Sequence, residues 1–277
     1  MIKKIKRSIE FRRGSKNFLW KALVSLKDVL HVFSVRAKFL GKKLRYNFNR
    51  MSWKLRKKTN TRLDVTLLYL NWKRKDLLLR ILEDAKQQSG EFEIVVVDNS
   101  GYDQENAINP SGVKVVKADN SNKCWERWVY AKEVGTKYVC VMDDDMTFVK
   151  RNIIESCYNY MESHPEVDCV GAFGVQYDPE KGYWGSLHVK NLEEDMEVSI
   201  AKGRFMFIRT ESLQGLDMEP DLTCDDIKAS SHLSKKVLLK DVAGGFFDLI
   251  ETDTVGVSSQ IEHNSKRENA VKKYFDK

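Results

Sequence analysis

The chain has 277 residues, 42% of them apolar and 31% charged, which is enough apolar mass to fill one large core. Four prolines and fifteen glycines exclude collagen-like and proline-rich disorder, and no run of about 18 uncharged apolar residues is available to span a bilayer. The net charge of +7 hides a segregation: residues 1–62 carry 20 Lys and Arg against 2 acids, whereas residues 63–277 carry 27 against 38. A basic arm on an acidic body points to an anionic partner for the arm, either a membrane surface or nucleic acid.

The opening Met-Ile-Lys-Lys-Ile-Lys-Arg lacks the apolar segment of a secretory signal. From Leu19 the apolar residues recur at Leu23, Leu26, Leu30, Phe33, Ala37 and Leu40, and then at Leu44, Phe48, Met51 and Leu55. Steps of three and four predict a long or once-broken amphipathic helix with basic flanks, and Trp20 and Trp53 are placed to sit at a headgroup layer. The same helix could instead pack on the body or on a second copy of the chain, giving a homodimer. The arm has no zinc-finger or RNA-binding motif, so nucleic acid is the weakest partner. The expected division is a basic helical arm over 1–62 and a folded domain over 63–277.

Beyond the arm, strand and helix signals alternate. Val65–Leu70 reads as a strand ending at Asn71, followed by helical spacing over 75–88. Phe92–Val97 reads as a second strand ending at Asp98, and Val113–Val116 as a third. A helix over 124–134 leads into a fourth strand, Tyr138–Met142. Continuous apolar runs joined by helices predict a mostly parallel α/β sheet, whose ligands bind beyond the carboxyl ends of its strands. Asn71, Asp98, Asn120 and the run Asp143-Asp144-Asp145 are the residues at those ends. Cys124, Cys140, Cys157, Cys169 and Cys224 are odd in number and scattered, which argues for a reducing compartment rather than a disulfide framework.

The sequence has no G-x-G-x-x-G, P-loop, H-E-x-x-H or G-x-S-x-G, so a phosphate would not rest in a glycine-rich cradle. Alternate carboxylates at a strand end can share one hard cation, Mn²⁺ or Mg²⁺, through oxygen ligands. Three adjacent acids also repel one another unless a cation, Lys or Arg compensates them.

Five segments in order give the chain a family resemblance over about 64–270: Asp64-Val-Thr-Leu-Leu-Tyr-Leu-Asn-Trp-Lys-Arg, Glu93-Ile-Val-Val-Val-Asp-Asn-Ser-Gly, Tyr138-Val-Cys-Val-Met-Asp-Asp-Asp-Met, Cys224-Asp-Asp-Ile and Glu262-His-Asn-Ser-Lys-Arg. It resembles the GT-A glycosyltransferases of the family 2 type, with exostosin-like features in the second half. The resemblance implies a Rossmann-like, mostly parallel sheet flanked by helices, and an enzyme that takes a sugar from a nucleotide-sugar, a UDP-sugar first among them.

It also implies a role for each matching residue. Asn71 and Asp98 would flank the nucleobase and ribose, with Asn120 on the same rim. Asp143 and Asp145 would hold the metal and diphosphate, with Asp144 near the donor sugar and His263 completing the metal shell. Gly203 would let the backbone approach donor or acceptor, and Asp226 would face the acceptor hydroxyl. Asp225 stands where the family usually has Glu, which shortens its reach. Without the Q-x-x-R-W motif and membrane helices of processive synthases, a single-sugar transferase is expected. The basic arm suggests a lipid-linked glycan acceptor at the cytoplasmic face of a bacterial membrane, as in capsule, O-antigen or cell-wall polysaccharide synthesis. The rivals are a nucleotidyltransferase of related fold and a non-catalytic membrane or nucleic-acid binder on a dead transferase fold. Trp125, Trp128 and Tyr183 suit a core, and Trp184 in Gly-Tyr-Trp-Gly is the best candidate for a sugar platform.

Overall fold

Thr66 to Tyr69 are fully buried, on both faces of the strand that contains them, and this explains why their stretch reads as a continuous apolar run rather than an alternation. In the computed structural model, which describes residues 34, 37, 40–41, 43–44, 46–53, 58–100, 108–118, 121–189, 192–222, 224–249 and 262–276, that strand is β1 (Arg62–Asn71). It is followed by α1 (Lys75–Ala85), β2 (Glu91–Asp98), β3 (Lys114–Lys117), α2 (Glu126–Glu133) and β4 (Tyr138–Met142). The order continues with β5 (Met146–Phe148), α3 (Ile153–Ser163), β6 (Cys169–Gly171), β7 (Gly174–Gln176), α4 (Gly182–Gly185), β8 (Leu187–Val189), β9 (Met196–Glu197), β10 (Ile200–Ala201) and β11 (Phe205–Arg209). Last come α5 (Asp225–His232), β12 (Lys236–Leu238), α6 (Lys240–Ala243), β13 (Phe246–Asp248) and α7 (His263–Phe275).

The main sheet has the order β3-β2-β1-β4-β11-β6-β12-β9. β3, β2, β1 and β4 are mutually parallel, as the sequence predicts. β11 enters antiparallel between β4 and β6. Its register pairs Phe205 with Met142, so β11 begins where β4 ends. The turn leading into β11 therefore lies against the acidic run, and the Asp143 N–H donates to the Arg204 carbonyl at 3.1 Å.

Two apolar layers cover the sheet. On one face Leu67 and Tyr69 meet Leu78, Ile81 and Leu82 of α1 and Ile154, Cys157 and Met161 of α3. On the other, Leu68, Val139 and Val141 meet Trp125, Trp128 and Ala131 around α2 and Ala229 of α5. Trp125 and Trp128 are fully buried core residues.

Residues 1–33 lie outside the description. The described residues between 34 and 53 are helical. Tyr46 is fully buried, and its hydroxyl donates to the buried carboxylate of Asp84 on α1. Arg50 pairs with the same carboxylate at 2.6 Å, and Asn49 donates to the Val149 carbonyl at 2.9 Å. Trp53, expected at a headgroup layer, is instead 6% exposed in the core beneath β1; the Trp53 carbonyl accepts from Arg151. Among the described residues no helix is long and apolar enough to cross a membrane.

Candidate active site

Parallel strands β1, β2 and β4 end together, and their last residues deliver Asn71, Asp98 and the Asp143 run to one edge. Asn71 Nδ2 donates to Asp98 Oδ1 at 2.8 Å, so the two residues expected at the nucleobase are in contact. Asp98 is fully buried and also accepts from Lys117 and from the backbone N–H groups of Ser100 and Ile108. Burial alone would raise its proton affinity, but Lys117, Asn71 and the N–H donors hold the carboxyl below the usual range. Asn120 lies outside the described residues.

The acids after β4 are compensated by arginines from three separate segments. Arg127 on α2 reaches Asp143 at 2.9 Å. Arg74, just before α1, reaches Asp144 at 2.5 Å and Asp145 at 3.4 Å. Arg204 stands 4.0 Å from Asp145 and pairs with Asp248 of β13. Even so, burial pushes the Asp144 carboxyl up to about 6. Burial, followed by repulsion from Asp143, raises Asp145 to about 7. Asp145 Oδ1 is buried and accepts no hydrogen bond among the described residues. An orphaned carboxylate oxygen beside a second carboxylate fits a hard divalent cation. Among the described residues, however, no three His, Cys, Asp or Glu side chains converge tightly enough to hold a metal ion.

His263 opens α7. Its Nδ1 is buried without a hydrogen-bond partner among the described residues, and burial, then the charge of Arg267, lowers its proton affinity. The structure therefore groups His263 with Arg267 and Asp226.

The acidic pair opens α5, where carboxylates complement the helix dipole. Asp225 accepts from Trp128 Nε1 at 2.8 Å and lies 3.1 Å from Arg127. Arg127 thus joins Asp225 to Asp143 across the site, and it also donates to the Gly203 carbonyl at 3.1 Å. Asp226 accepts two hydrogen bonds from Arg267, and its Oδ2 accepts from the Gly203 N–H at 3.3 Å. A Cβ on Gly203 would lie 3.0 Å from the Cβ of Asp226 and 3.6 Å from Arg127, so a side chain here would crowd Asp226 and shift it by a few tenths of an ångström. Burial raises the Asp225 carboxyl, an effect that Arg127 opposes and Asp226 reinforces.

Arg74, Arg127, Arg204, Asp248 and Arg267 received no role from the sequence. One signal was present: three adjacent acids require compensation. The sequence could not say which of the 47 Lys and Arg supply it.

The model of glycosyl transferase family 2 matches residues 69–220, more than half of the chain. The chain belongs to glycosyl transferase family 2. The family match contains Asn71, Asp98, the Asp143 run and Gly203, and stops before Asp225, Asp226 and His263. The glycosyltransferase reading, the GT-A fold and the family 2 resemblance taken from the sequence agree with that membership. Among solved structures, the chain is similar to the mannosyltransferase PcManGT from Pyrobaculum calidifontis in complex with GDP-Man and Mn²⁺, at 16% identity and a TM-score of 0.47, over 76% of this chain and 66% of that one. It is also similar to S. aureus TarS 1–349, at 16% identity and 0.49, over 76% and 72%. A third is a CMP:2-keto-3-deoxy-manno-octonic acid synthetase complexed with CTP, at 12% identity and 0.44, over 66% and 89%. Comparison with curated proteins gives no significant match.

Proposed function

We propose that this family 2 protein transfers one sugar from a nucleotide-sugar, a UDP-sugar in the first instance, to a glycan acceptor in bacterial surface polysaccharide synthesis. Residues 63–277 form the transferase domain and 1–62 its basic arm. The acceptor is lipid-linked and is met at the cytoplasmic face of the membrane. The observation that carries the reading is the link made by Arg127, which ties the carboxylates beyond β4 to the acidic pair on α5. Such a site has one carboxylate group for the donor diphosphate and another for the acceptor.

Asp143 and Asp145 are the residues to hold Mn²⁺ or Mg²⁺ with the diphosphate, and His263 is the candidate third ligand. When bound, the cation would neutralise charge on the leaving diphosphate. Asn71 and Asp98 bind the nucleoside, Asp144 lies by the donor sugar, and Gly203 shapes the floor between donor and acceptor. Asp226 takes the proton from the acceptor hydroxyl as its oxygen bonds to the anomeric carbon and the bond to the diphosphate breaks, with inversion. Asp225, fixed by Trp128 and Arg127, positions Asp226.

A thermal-shift panel of nucleotide-sugars with Mn²⁺ tests the donor assignment. A true donor at 100 times its Kd adds ~2.7 kcal/mol of stability, whereas no shift from any of them would remove the reading.

A further inference from the structure

The helical residues between 40 and 53 present two opposite faces. Tyr46, Asn49, Arg50 and Trp53 are docked on the body. Leu40, Leu44, Phe48 and Met51 are 57%, 62%, 67% and 60% exposed. At 3.6 residues per turn these four fall within an arc of about 80°, centred roughly 190° from the docked face. Among the described residues, the other exposed large apolar side chains are Trp184 and Leu187. This stripe is therefore a concentrated apolar surface on a helix whose opposite side is already satisfied.

The docking is made by several contacts at once. Asp84 is fully buried and is held by Tyr46, Arg50 and Thr147 together. The Tyr46 ring also stacks on Phe247, with centroids 5.4 Å apart. Phe247 is the neighbour of Asp248, which pairs with Arg204 at the acidic cluster. The helix and the site thus share one short strand, β13.

The chemistry around the stripe selects its occupant. Lys43 is exposed at the side of the stripe, and in the sequence the whole segment 1–62 carries 20 Lys and Arg against only 2 acids. A second copy of this helix laid along it would bring like charges together, without the complementary flanks of a coiled coil. Nucleic acid would match the charge but would leave the leucines and Phe48 in water. An anionic bilayer meets both demands, with apolar side chains among the acyl chains and basic heads at the phosphates.

We propose that the Leu40–Leu44–Phe48–Met51 face is an interfacial helix that seats the folded body on an anionic bilayer, so that membrane binding resides in a docked element rather than in a free arm. The proposal rests on the lipid-linked acceptor above for its purpose, not for its geometry.

Vesicle flotation of the full chain tests it, with phosphatidylcholine alone and with an equal share of phosphatidylglycerol. The wild type should float with the anionic vesicles. The double variant Leu44→Ser with Phe48→Ser should bind them about ten-fold more weakly or worse. Its Tm and its turnover of nucleotide-sugar with a water-soluble acceptor should be unchanged, because neither side chain touches the core or the site. Wild-type affinity in the double variant would overturn the proposal. So would failure of the wild type to float, or a lipid-free dimer that the two substitutions convert to monomer. Loss of turnover with vesicle binding intact would strike the proposed function and leave the docking surface standing.

Discussion

Arg267 holds both oxygens of Asp226, with Nη1 3.1 Å from Oδ1 and Nη2 2.9 Å from Oδ2. The two residues lie on different helices, Asp226 on α5 and Arg267 on α7, and the Gly203 and Ile227 N–H groups also donate to the carboxylate. Burial favours the protonated acid, but the Arg267 charge and its hydrogen bonds outweigh burial and hold the carboxyl below the usual range. The proposed base is thus ionised at neutral pH and trades proton affinity for certainty of charge.

The pH dependence follows with its sign. The folded pKa lies below the unfolded value of about 3.9, so the pair stabilises the fold above that pH and ceases to do so as pH falls through the folded pKa. The limb that Asp226 itself contributes to kcat/KM should accordingly lie below the ordinary carboxylate range, and below any limb from Asp144 and Asp145, which burial raises to about 6 and about 7. Arg267→Gln leaves the buried carboxylate uncompensated, costs about 3–5 kcal/mol of stability and moves that limb upward. Asp226→Asn should keep donor binding within a few-fold and lose about 10²–10⁴ in rate. A normal rate in Asp226→Asn with a loss in Asp225→Asn would shift the base by one residue, and a product that retains the donor's configuration would exclude the simple base mechanism.

Asp143→Ala and Asp145→Ala should each abolish Mn²⁺-dependent nucleotide binding. Neither should destabilise the apoprotein by more than about 1 kcal/mol. Arg127 would still hold Asp225, Arg74 would still hold Asp144, and Arg204 would still hold Asp248. Isothermal titration of UDP with and without Mn²⁺ reads the first effect, and thermal unfolding reads the second. Undiminished Mn²⁺-dependent affinity in both variants would remove the metal assignment.

The docked helix sets where the chain can be shortened. Deletion of residues 1–58 removes Tyr46, Arg50 and Trp53 and strands the buried Asp84. Trp53→Ala alone should cost about 3–5 kcal/mol, and Tyr46→Phe about 1–3 kcal/mol. Deletion of residues 1–33 leaves all three contacts in place and should leave Tm within a few degrees. Equal stability of the two truncated chains would show that these contacts contribute nothing.

Trp184 is 49% exposed, its ring lies 5.6 Å from that of His188 at 11°, and its Nε1 donates to the Asn264 carbonyl. A flat ring held on two sides suits the apolar face of a sugar. Trp184→Ala should raise acceptor KM several-fold and leave the hydrolysis of donor alone unchanged. A change in donor KM instead would place the ring on the donor side.

Much of this arrangement was legible in the sequence because it is local. Val65–Leu70, Phe92–Val97 and Tyr138–Met142 are apolar runs with polar ends, and strand ends are where a parallel sheet puts its ligands. Compensation of the acids was not legible, since Arg74, Arg127 and Arg204 reach Asp143-Asp144-Asp145 from segments far apart in the chain. The approach of Arg204 depends on β11 running antiparallel, which the four apolar residues Phe205–Ile208 do not announce. The stripe of the arm was visible from its spacing. Its second face was hidden, because Tyr46, Asn49, Arg50 and Trp53 mix polar and aromatic residues, and their partners Asp84, Val149 and Arg151 lie far along the chain.

The central claim is transfer of a glycosyl group, and product analysis tests it most directly. The full chain, Mn²⁺, a nucleotide-sugar that stabilises it and a lipid-linked glycan acceptor should yield free nucleoside diphosphate in equal amount to acceptor lengthened by one sugar, both read by ³¹P NMR and mass spectrometry. Asp143→Ala should yield neither. Release of pyrophosphate with a nucleotide retained on the product would contradict the account and make the protein a nucleotidyltransferase, and absence of turnover with every donor that binds would contradict catalysis altogether.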